Sequence, residues 1–119
     1  MKIAIVKVFN SKNEMLFLLR AKKPFGWCFP GGKIDEKDLT SAAAASRELF
    51  EETGMYIHQD LLTYEMSSLT ATGKEVDIFV ARIDDEPKIK LSKSEHLNYR
   101  WMKEVTDDLI LAGNARNFI

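Results

Sequence analysis

Three glutamates and an arginine are clustered in one short segment, Arg47-Glu48-Leu49-Phe50-Glu51-Glu52-Thr53, which is followed by Gly54. In a helix, residues three and four positions apart share a face, so Glu48 lies beside Glu51 and Glu52. Like charges at this spacing destabilise a helix, whereas a hard divalent cation such as Mg²⁺ binds oxygen ligands of this kind. The spacing therefore predicts a metal site; a solvated, purely charged helix face is the alternative reading.

The elements that would position this segment can be read from composition and periodicity. The glycine at position 54 is a typical helix stop, and Asp38 and Thr40 are suitable residues for the helix start. Five apolar or β-branched segments predict strands, and a segment with two prolines and three glycines predicts a loop. The predicted strands are Lys2–Phe9, Glu14–Ala21, Leu61–Leu69, Lys74–Ile83 and Leu97–Lys103, the loop is Lys22–Lys33, and a second helix is expected over Glu104–Gly113.

This order predicts an α/β fold in which a mixed β-sheet is flanked by helices, an α/β/α sandwich. It lacks the regular βαβ alternation that a parallel Rossmann sheet requires. The 119 residues are enough for one domain with one core, so we expect a single domain over residues 1–119.

Composition restricts the classes of partner. The net charge of −1 gives no general basic field for a nucleic-acid polymer. Cys28 is the single cysteine, so neither an internal disulfide nor a cysteine-based zinc cluster is expected. The first eight residues have too short an apolar run for a signal peptide, and no stretch approaches the ~20 apolar residues of a membrane span. We therefore expect a cytoplasmic protein without a membrane partner.

The segment Trp27-Cys28-Phe29-Pro30-Gly31-Gly32-Lys33, followed by Arg47 to Met55, resembles the Nudix box. That pattern is Gly, five residues, Glu, seven residues, then Arg-Glu-hydrophobic-x-Glu-Glu-x-Gly-hydrophobic. The second half matches at every specified position, and the strands before and after the motif extend the resemblance over most of the chain. The sequence is thus similar to the Nudix hydrolases, with a MutT-like arrangement.

One residue is inserted relative to this pattern. Fourteen residues separate Gly32 from Arg47, where the family pattern has thirteen. Alignment on Gly32 assigns the family's first glutamate to Asp38, but Asp35 and Glu36 are also acidic. The sequence leaves open which of the three fills that position.

The resemblance implies roles for the box residues. Glu48, Glu51 and Glu52 would be metal ligands, with Glu51 and Glu52 among the catalytic groups, and Arg47 would orient them through its guanidinium. The Pro30-Gly31-Gly32 turn would let the backbone, at Gly32, approach the metal or phosphates. The expected cofactor is Mg²⁺, with Mn²⁺ possible.

Glu95 is a further candidate because it precedes Trp101 by five intervening residues. In this it resembles the loop glutamate that MutT-type enzymes use as a general base or additional metal ligand. A surface glutamate beside His96 is the alternative. We interpret His96 as a loop residue rather than a ligand, because Mg²⁺ prefers oxygen, and His58 as a surface residue.

Four residues are candidates for substrate binding. Arg20, Lys22 and Lys23 precede the glycine loop and could bind a terminal phosphate. Asn114, or alternatively Asn117, resembles the position of a purine-reading asparagine in MutT-like enzymes, since an amide can pair with a purine edge.

These residues together predict a Nudix pyrophosphohydrolase that acts on a small nucleotide. The preferred substrate is a (deoxy)nucleoside triphosphate, cleaved to monophosphate and pyrophosphate. ADP-ribose or another sugar nucleotide, a dinucleoside polyphosphate, and a non-catalytic nucleotide-binding module of the same fold are the alternatives. Whether the protein is a monomer or a homodimer stays open.

Overall fold

A computed structural model describes residues 2–70 and 72–103 of the chain. Its strands are β1 Lys2–Phe9, β2 Met15–Arg20, β3 Trp27–Cys28, β4 Gly31–Lys33, β5 Thr63–Leu69, β6 Glu75–Arg82 and β7 His96–Met102. The helix α1 spans Ser41–Thr53, and a 3-10 turn spans Gln59–Leu61. Within these ranges no helix has both the length and the apolar character needed to cross a bilayer.

The strands form one mixed sheet whose main path runs β3-β2-β1-β6-β5. Strands β1 and β6 are parallel, whereas β2 pairs antiparallel with β3 and β7, and β5 pairs antiparallel with β6. Alternate side chains of β1 point to opposite faces of the sheet: Val6 and Val8 join the core beneath α1, and Ile5 joins the core of the other face. The predicted mixed sheet with a packed helix is confirmed; the predicted helix Glu104–Gly113 lies outside the described residues.

Local chemistry accounts for the bounds of α1. The Thr40 hydroxyl accepts a hydrogen bond from the Ala43 backbone N–H, which is the N-cap interaction. Gly54 has a φ of 76° and its N–H donates to the Phe50 carbonyl, which ends the helix in the left-handed conformation that glycine tolerates. The helix is fixed to the sheet by Ala44, Ala45 and Leu49, which are fully buried.

Two predictions of secondary structure were wrong. The segment Lys22–Lys33 is not a continuous loop, because it contains β3 and β4. Strand β4 pairs antiparallel with β1, with Gly31 opposite Ile5 and Gly32 opposite Ala4, so the glycines lie on the sheet directly against α1. The strand predicted from Leu61 begins only at Thr63, because the preceding residues form the 3-10 turn.

Candidate active site

Glu52 is the most deeply buried carboxylate of the helix. Its side chain is only 6% exposed, and its Oε1 accepts a 2.8 Å hydrogen bond from the Gly31 backbone N–H. Burial is the main reason that the pKa of Glu52 is raised to about 8; the nearby charges of Glu48 and Glu95 raise it further, against the lowering effect of the Gly31 N–H. A buried carboxylate in this environment is stabilised in its charged form by a bound cation.

Glu48 lies one turn before Glu52 and beside Gly32. A Cβ at position 32 would lie 2.7 Å from the Glu48 carboxyl carbon, so only glycine leaves room for this carboxylate. Burial raises the pKa of Glu48, while the charge of Arg47 opposes this effect and the charges of Glu51 and Glu95 add to it. Each of the two glycines thus contacts one carboxylate of the helix. Gly31 donates a hydrogen bond to Glu52, and Gly32 packs against Glu48.

Arg47 binds three carboxylates at once, and it holds that of Asp38 through two nitrogens. Nε and Nη2 donate to the two Asp38 oxygens at 2.9 and 2.8 Å, a bidentate geometry. Nη1 donates to Glu48 at 3.1 Å and to Glu51 at 3.0 Å. These hydrogen bonds from Arg47 are the main cause of the lowered pKa of Asp38.

Of the three acids that the spacing allowed, Asp38 is the one that pairs with Arg47. Asp35 and Glu36 are exposed. Arg47 contacts Glu51 through Nη1 alone, because Nε and Nη2 both donate to Asp38.

Glu95 lies next to the helix carboxylates at the start of β7. Backbone hydrogen bonds fix it, since its N–H donates to the Ser92 carbonyl at 3.0 Å and its own carbonyl accepts from Ala21 N–H at 2.9 Å. Its carboxylate is exposed, whereas the adjacent His96 is 3% exposed. One potential ligand atom from each of Glu52, Glu95 and His96 lies within 4.8 Å of the others.

The interpretation of His96 as a loop residue was wrong. It is the first residue of β7, which pairs with β2, and it is buried. Its Nε2 lies 3.8 Å from both the Cys28 sulfur and Glu52 Oε2. Burial lowers the pKa of His96, so its imidazole is neutral near pH 7. His58 is exposed, as predicted: its Nδ1 accepts a hydrogen bond from Asp60 N–H at the start of the 3-10 turn.

A cavity of about 310 Å³ joins these groups to positively charged side chains. Arg20 and Lys22 line it, as does Lys33, which sequence reasoning assigned no role although it directly follows the glycine pair. Lys23 does not line the cavity; its carbonyl and that of Pro24 accept hydrogen bonds from the Arg20 guanidinium. The full lining consists of Arg20, Lys22, Gly31, Gly32, Lys33, Glu48, Glu52, Glu95 and His96.

One predicted site residue, Glu51, lies outside this cavity, and another, Asn114, is not among the described residues. Glu51 is turned toward Arg47, is about half exposed, and lines an adjoining groove with Phe50 and Tyr56. Asn114, like Asn117, lies outside the described residues. Carboxylates and cations that line one cavity are the groups expected around a metal-bound polyphosphate. The Glu48, Glu52 and Glu95 oxygens suit a hard divalent ion, and Arg20, Lys22 and Lys33 suit phosphate oxygens.

Comparison with known proteins agrees with the resemblance of this chain to the Nudix family. The family model described as the NUDIX domain matches residues 1–112. The chain is 32% identical over 84 residues to mRNA decapping complex subunit 2 of Schizosaccharomyces pombe, a match that covers 65% of this chain and 11% of that protein. The chain spans only about a tenth to a quarter of the length of the curated relatives it matches.

Two solved structures share the fold. A C. elegans Ap4A hydrolase superimposes with a TM-score of 0.71 at 25% identity, covering 85% of this chain and 79% of that one. The NUDIX domain of Shewanella oneidensis NrtR, solved with ADP ribose, gives a TM-score of 0.83 at 19% identity, covering 100% of this chain and 83% of that one. From its box residues, its sheet and helix, and the family match over nearly its whole length, the chain belongs to the Nudix hydrolase family.

Proposed function

We propose that this protein is a metal-dependent pyrophosphohydrolase that cleaves a phosphoanhydride bond in a small nucleoside diphosphate-linked molecule. The observation that carries the proposal is one cavity that is lined both by the carboxylates Glu48, Glu52 and Glu95 and by the cationic side chains of Arg20 and Lys22. Neither group of charges is suited to an apolar ligand, and together they suit an anion held through divalent cations.

The roles follow from position and burial. Glu48 and Glu52 are proposed as metal ligands because they share the buried face of α1 and meet the backbone at the glycine pair. Glu51, which lines the adjoining groove, is proposed as a further ligand, and Arg47 as the residue that fixes both Glu48 and Glu51. A bound Mg²⁺ would neutralise phosphate charge and lower the pKa of a coordinated water.

Glu95 is proposed as the general base or as a further ligand. Its exposed carboxylate lies within ligand distance of Glu52 and borders the cavity. In the base role it would remove a proton from the water that attacks phosphorus, while the bond from that phosphorus to the bridging oxygen breaks. Arg20, Lys22 and Lys33 would compensate the charge that collects on the departing phosphate.

The first candidate substrate is a (deoxy)nucleoside triphosphate, which would yield a monophosphate and pyrophosphate. The cavity of about 310 Å³ is polar and suits a polyphosphate chain. A dinucleoside polyphosphate is the second candidate, supported by the match to the C. elegans Ap4A hydrolase. Small nucleotides are proposed rather than a nucleic-acid polymer, because the net charge is −1.

A substrate panel with product identification tests the proposal. Nucleoside triphosphates, ADP-ribose and a dinucleoside tetraphosphate are incubated with the protein in Mg²⁺, in Mn²⁺ and in chelator. We expect metal-dependent turnover of at least one class, abolished by Glu52→Gln and unaffected by Glu36→Gln, a matched change at an exposed glutamate. Nucleotide binding with no turnover in any arm would instead identify a non-catalytic binding module.

A further inference from the structure

The groove that adjoins the carboxylate cavity is lined by exposed aromatic side chains. It has a volume of about 470 Å³ and lies between the outer face of α1, at Phe50, and the segment after the helix that contains Tyr56, His58 and Gln59. Phe50 is 54% exposed and Tyr56 is 66% exposed. Single exposed apolar residues are common, but a cluster of them that lines a groove indicates a binding surface. We call this surface, formed by these four residues, the aromatic groove.

Local contacts fix the segment that carries two of these rings. Ile57 lies between Tyr56 and His58 in the chain and is buried in the core beneath α1. Its carbonyl accepts a 2.5 Å hydrogen bond from the buried hydroxyl of Ser46 on the helix. The His58 Nδ1 accepts a 3.0 Å hydrogen bond from the Asp60 N–H, which sets the orientation of the imidazole. The groove is therefore formed before any ligand binds, which reduces the entropy cost of binding.

The arrangement of the rings suits a flat ligand with polar edges. The Phe50 and Tyr56 ring centroids are 6.4 Å apart at an interplanar angle of 82°, and those of Tyr56 and His58 are 6.4 Å apart at 84°. Because neighbouring rings are nearly perpendicular, a planar group stacked on the face of one ring can also contact the next ring at its edge. Gln59 adds a side-chain amide that offers both a donor and an acceptor. A nucleobase has stacking faces and a hydrogen-bonding edge of this kind.

Arg47 connects the aromatic groove to the carboxylate cavity. Its Nη1 donates to Glu48, which lines the cavity, at 3.1 Å and to Glu51, which lines the groove, at 3.0 Å. Phe50 directly precedes Glu51 in the helix and lines the same groove. A molecule whose phosphates are held through metal ions at these carboxylates therefore has the aromatic rings beside its phosphate-binding site.

We propose that the aromatic groove binds the nucleobase of the substrate, with Phe50 and Tyr56 as the stacking surface and Gln59 as the contact to the base edge. The inference rests on the proposed function, because the phosphates of the same molecule would occupy the carboxylate cavity. It adds the position of the nucleoside, which the cavity alone does not define. A second copy of the chain would also cover exposed aromatic rings, but it would make no use of the adjacent carboxylates.

Binding of AMP and of ribose 5-phosphate tests the proposal, because the base is present in the first and absent from the second. Titration calorimetry in Mg²⁺ compares the wild type with Tyr56→Leu, Tyr56→Phe and Gln59→Leu. We expect the wild type to prefer AMP by at least ~10-fold and Tyr56→Leu to reduce this preference by at least ~5-fold, with ribose 5-phosphate binding changed by less than ~2-fold. Tyr56→Phe keeps the ring and should keep the preference, whereas Gln59→Leu should weaken AMP alone. Tyr64→Leu, at an exposed tyrosine of β5 that does not line the groove, is the matched control.

A second measurement uses the wild type and so does not depend on how the variants fold. In NMR spectra of the AMP complex, the adenine protons should show nuclear Overhauser effects to the Phe50 and Tyr56 rings and none to Tyr64. Their absence, no preference of the wild type for AMP, or an unchanged preference in Tyr56→Leu overturns the proposal. Self-association that Tyr56→Leu removes, without a base preference, would overturn it in favour of a second copy. Neither AMP nor ribose 5-phosphate contains a phosphoanhydride bond, so failure here is distinguishable from failure of the hydrolase proposal.

Discussion

Replacing Gly32 by alanine should strongly reduce activity while leaving the fold intact. The new Cβ would lie 2.7 to 2.9 Å from the three carboxylate atoms of Glu48, where ordinary contact begins at 3.4 Å. The carboxylate would therefore have to withdraw by about 0.7 Å, which exceeds the ~0.2 Å tolerance of metal–ligand distances. Because these atoms are the end of a flexible side chain, the withdrawal costs little stability.

Gly31 provides the contrast, because the same change there meets backbone. A Cβ at Gly31 would lie 2.3 Å from the Ala4 carbonyl oxygen and 2.7 Å from the Ile5 Cα, at a φ of 152°. Strain at such a φ costs about 1–3 kcal/mol, and overpacking adds a further ~1–3 kcal/mol. We expect Gly31→Ala to unfold at markedly lower urea than Gly32→Ala, which should lose less than ~1 kcal/mol.

Gly73→Ala is the control for alanine substitution itself. Its Cβ would meet nothing within 4 Å, although its φ is 82°, so we expect a loss of about 1 kcal/mol and unchanged activity. The assays are urea unfolding, metal titration, and turnover of the substrate identified in the panel. Gly32→Ala should reduce turnover by on the order of 10²-fold, as a displaced catalytic group does; wild-type turnover and metal affinity in that variant would refute the assigned position of Glu48.

Two further predictions concern buried charges. Asp38→Asn should cost about 1–3 kcal/mol at neutral pH through the lost Arg47 fork; because the pKa of Asp38 is lowered below its ordinary 3.8, this difference should shrink as pH falls through the lowered value, with Asp35→Asn as the silent control. In chelator, wild-type stability should fall between pH 5 and 8, because the native state retains the proton of Glu52 up to about 8 whereas the unfolded chain releases it near 4.5. Glu52→Gln should remove this pH-dependent loss of stability, which amounts to a few kcal/mol. Urea unfolding at three pH values measures both effects.

Local chemistry in the sequence was sufficient for the helix and for most of its carboxylates. Thr40 caps the N-terminus of α1 and Gly54 ends the helix. The helical spacing placed Glu48 and Glu52 on one face, and both line the cavity. The orientation of the Glu51 side chain could not be predicted from the sequence, because it depends on a contact with Arg47. Arg47 is itself positioned by Asp38, a loop residue nine positions earlier. That loop residue, Asp38, was one of three acids the spacing allowed.

Non-local pairing explains what the sequence did not reveal. Strand β4 is only three residues long and forms because β1, far earlier in the chain, supplies its hydrogen bonds. The burial of His96 likewise depends on the pairing of β7 with β2, which no local pattern indicates. The pairing of β4 brings the glycine backbone to the carboxylates, and the pairing of β7 brings the His96 ring nitrogen close to Glu52. Both pairings therefore determine which groups surround the carboxylates.

The most direct test of the central claim is Mg²⁺-dependent turnover of the nucleotide panel by wild type and Glu52→Gln, measured side by side with nucleotide binding. We predict phosphoanhydride cleavage of at least one substrate by the wild type, lost in chelator and reduced on the order of 10²-fold or more in the variant, which should still bind nucleotide. Absence of turnover by the folded, metal-loaded wild type, or equal turnover by the variant, would contradict the assignment of this cavity as a hydrolytic metal site.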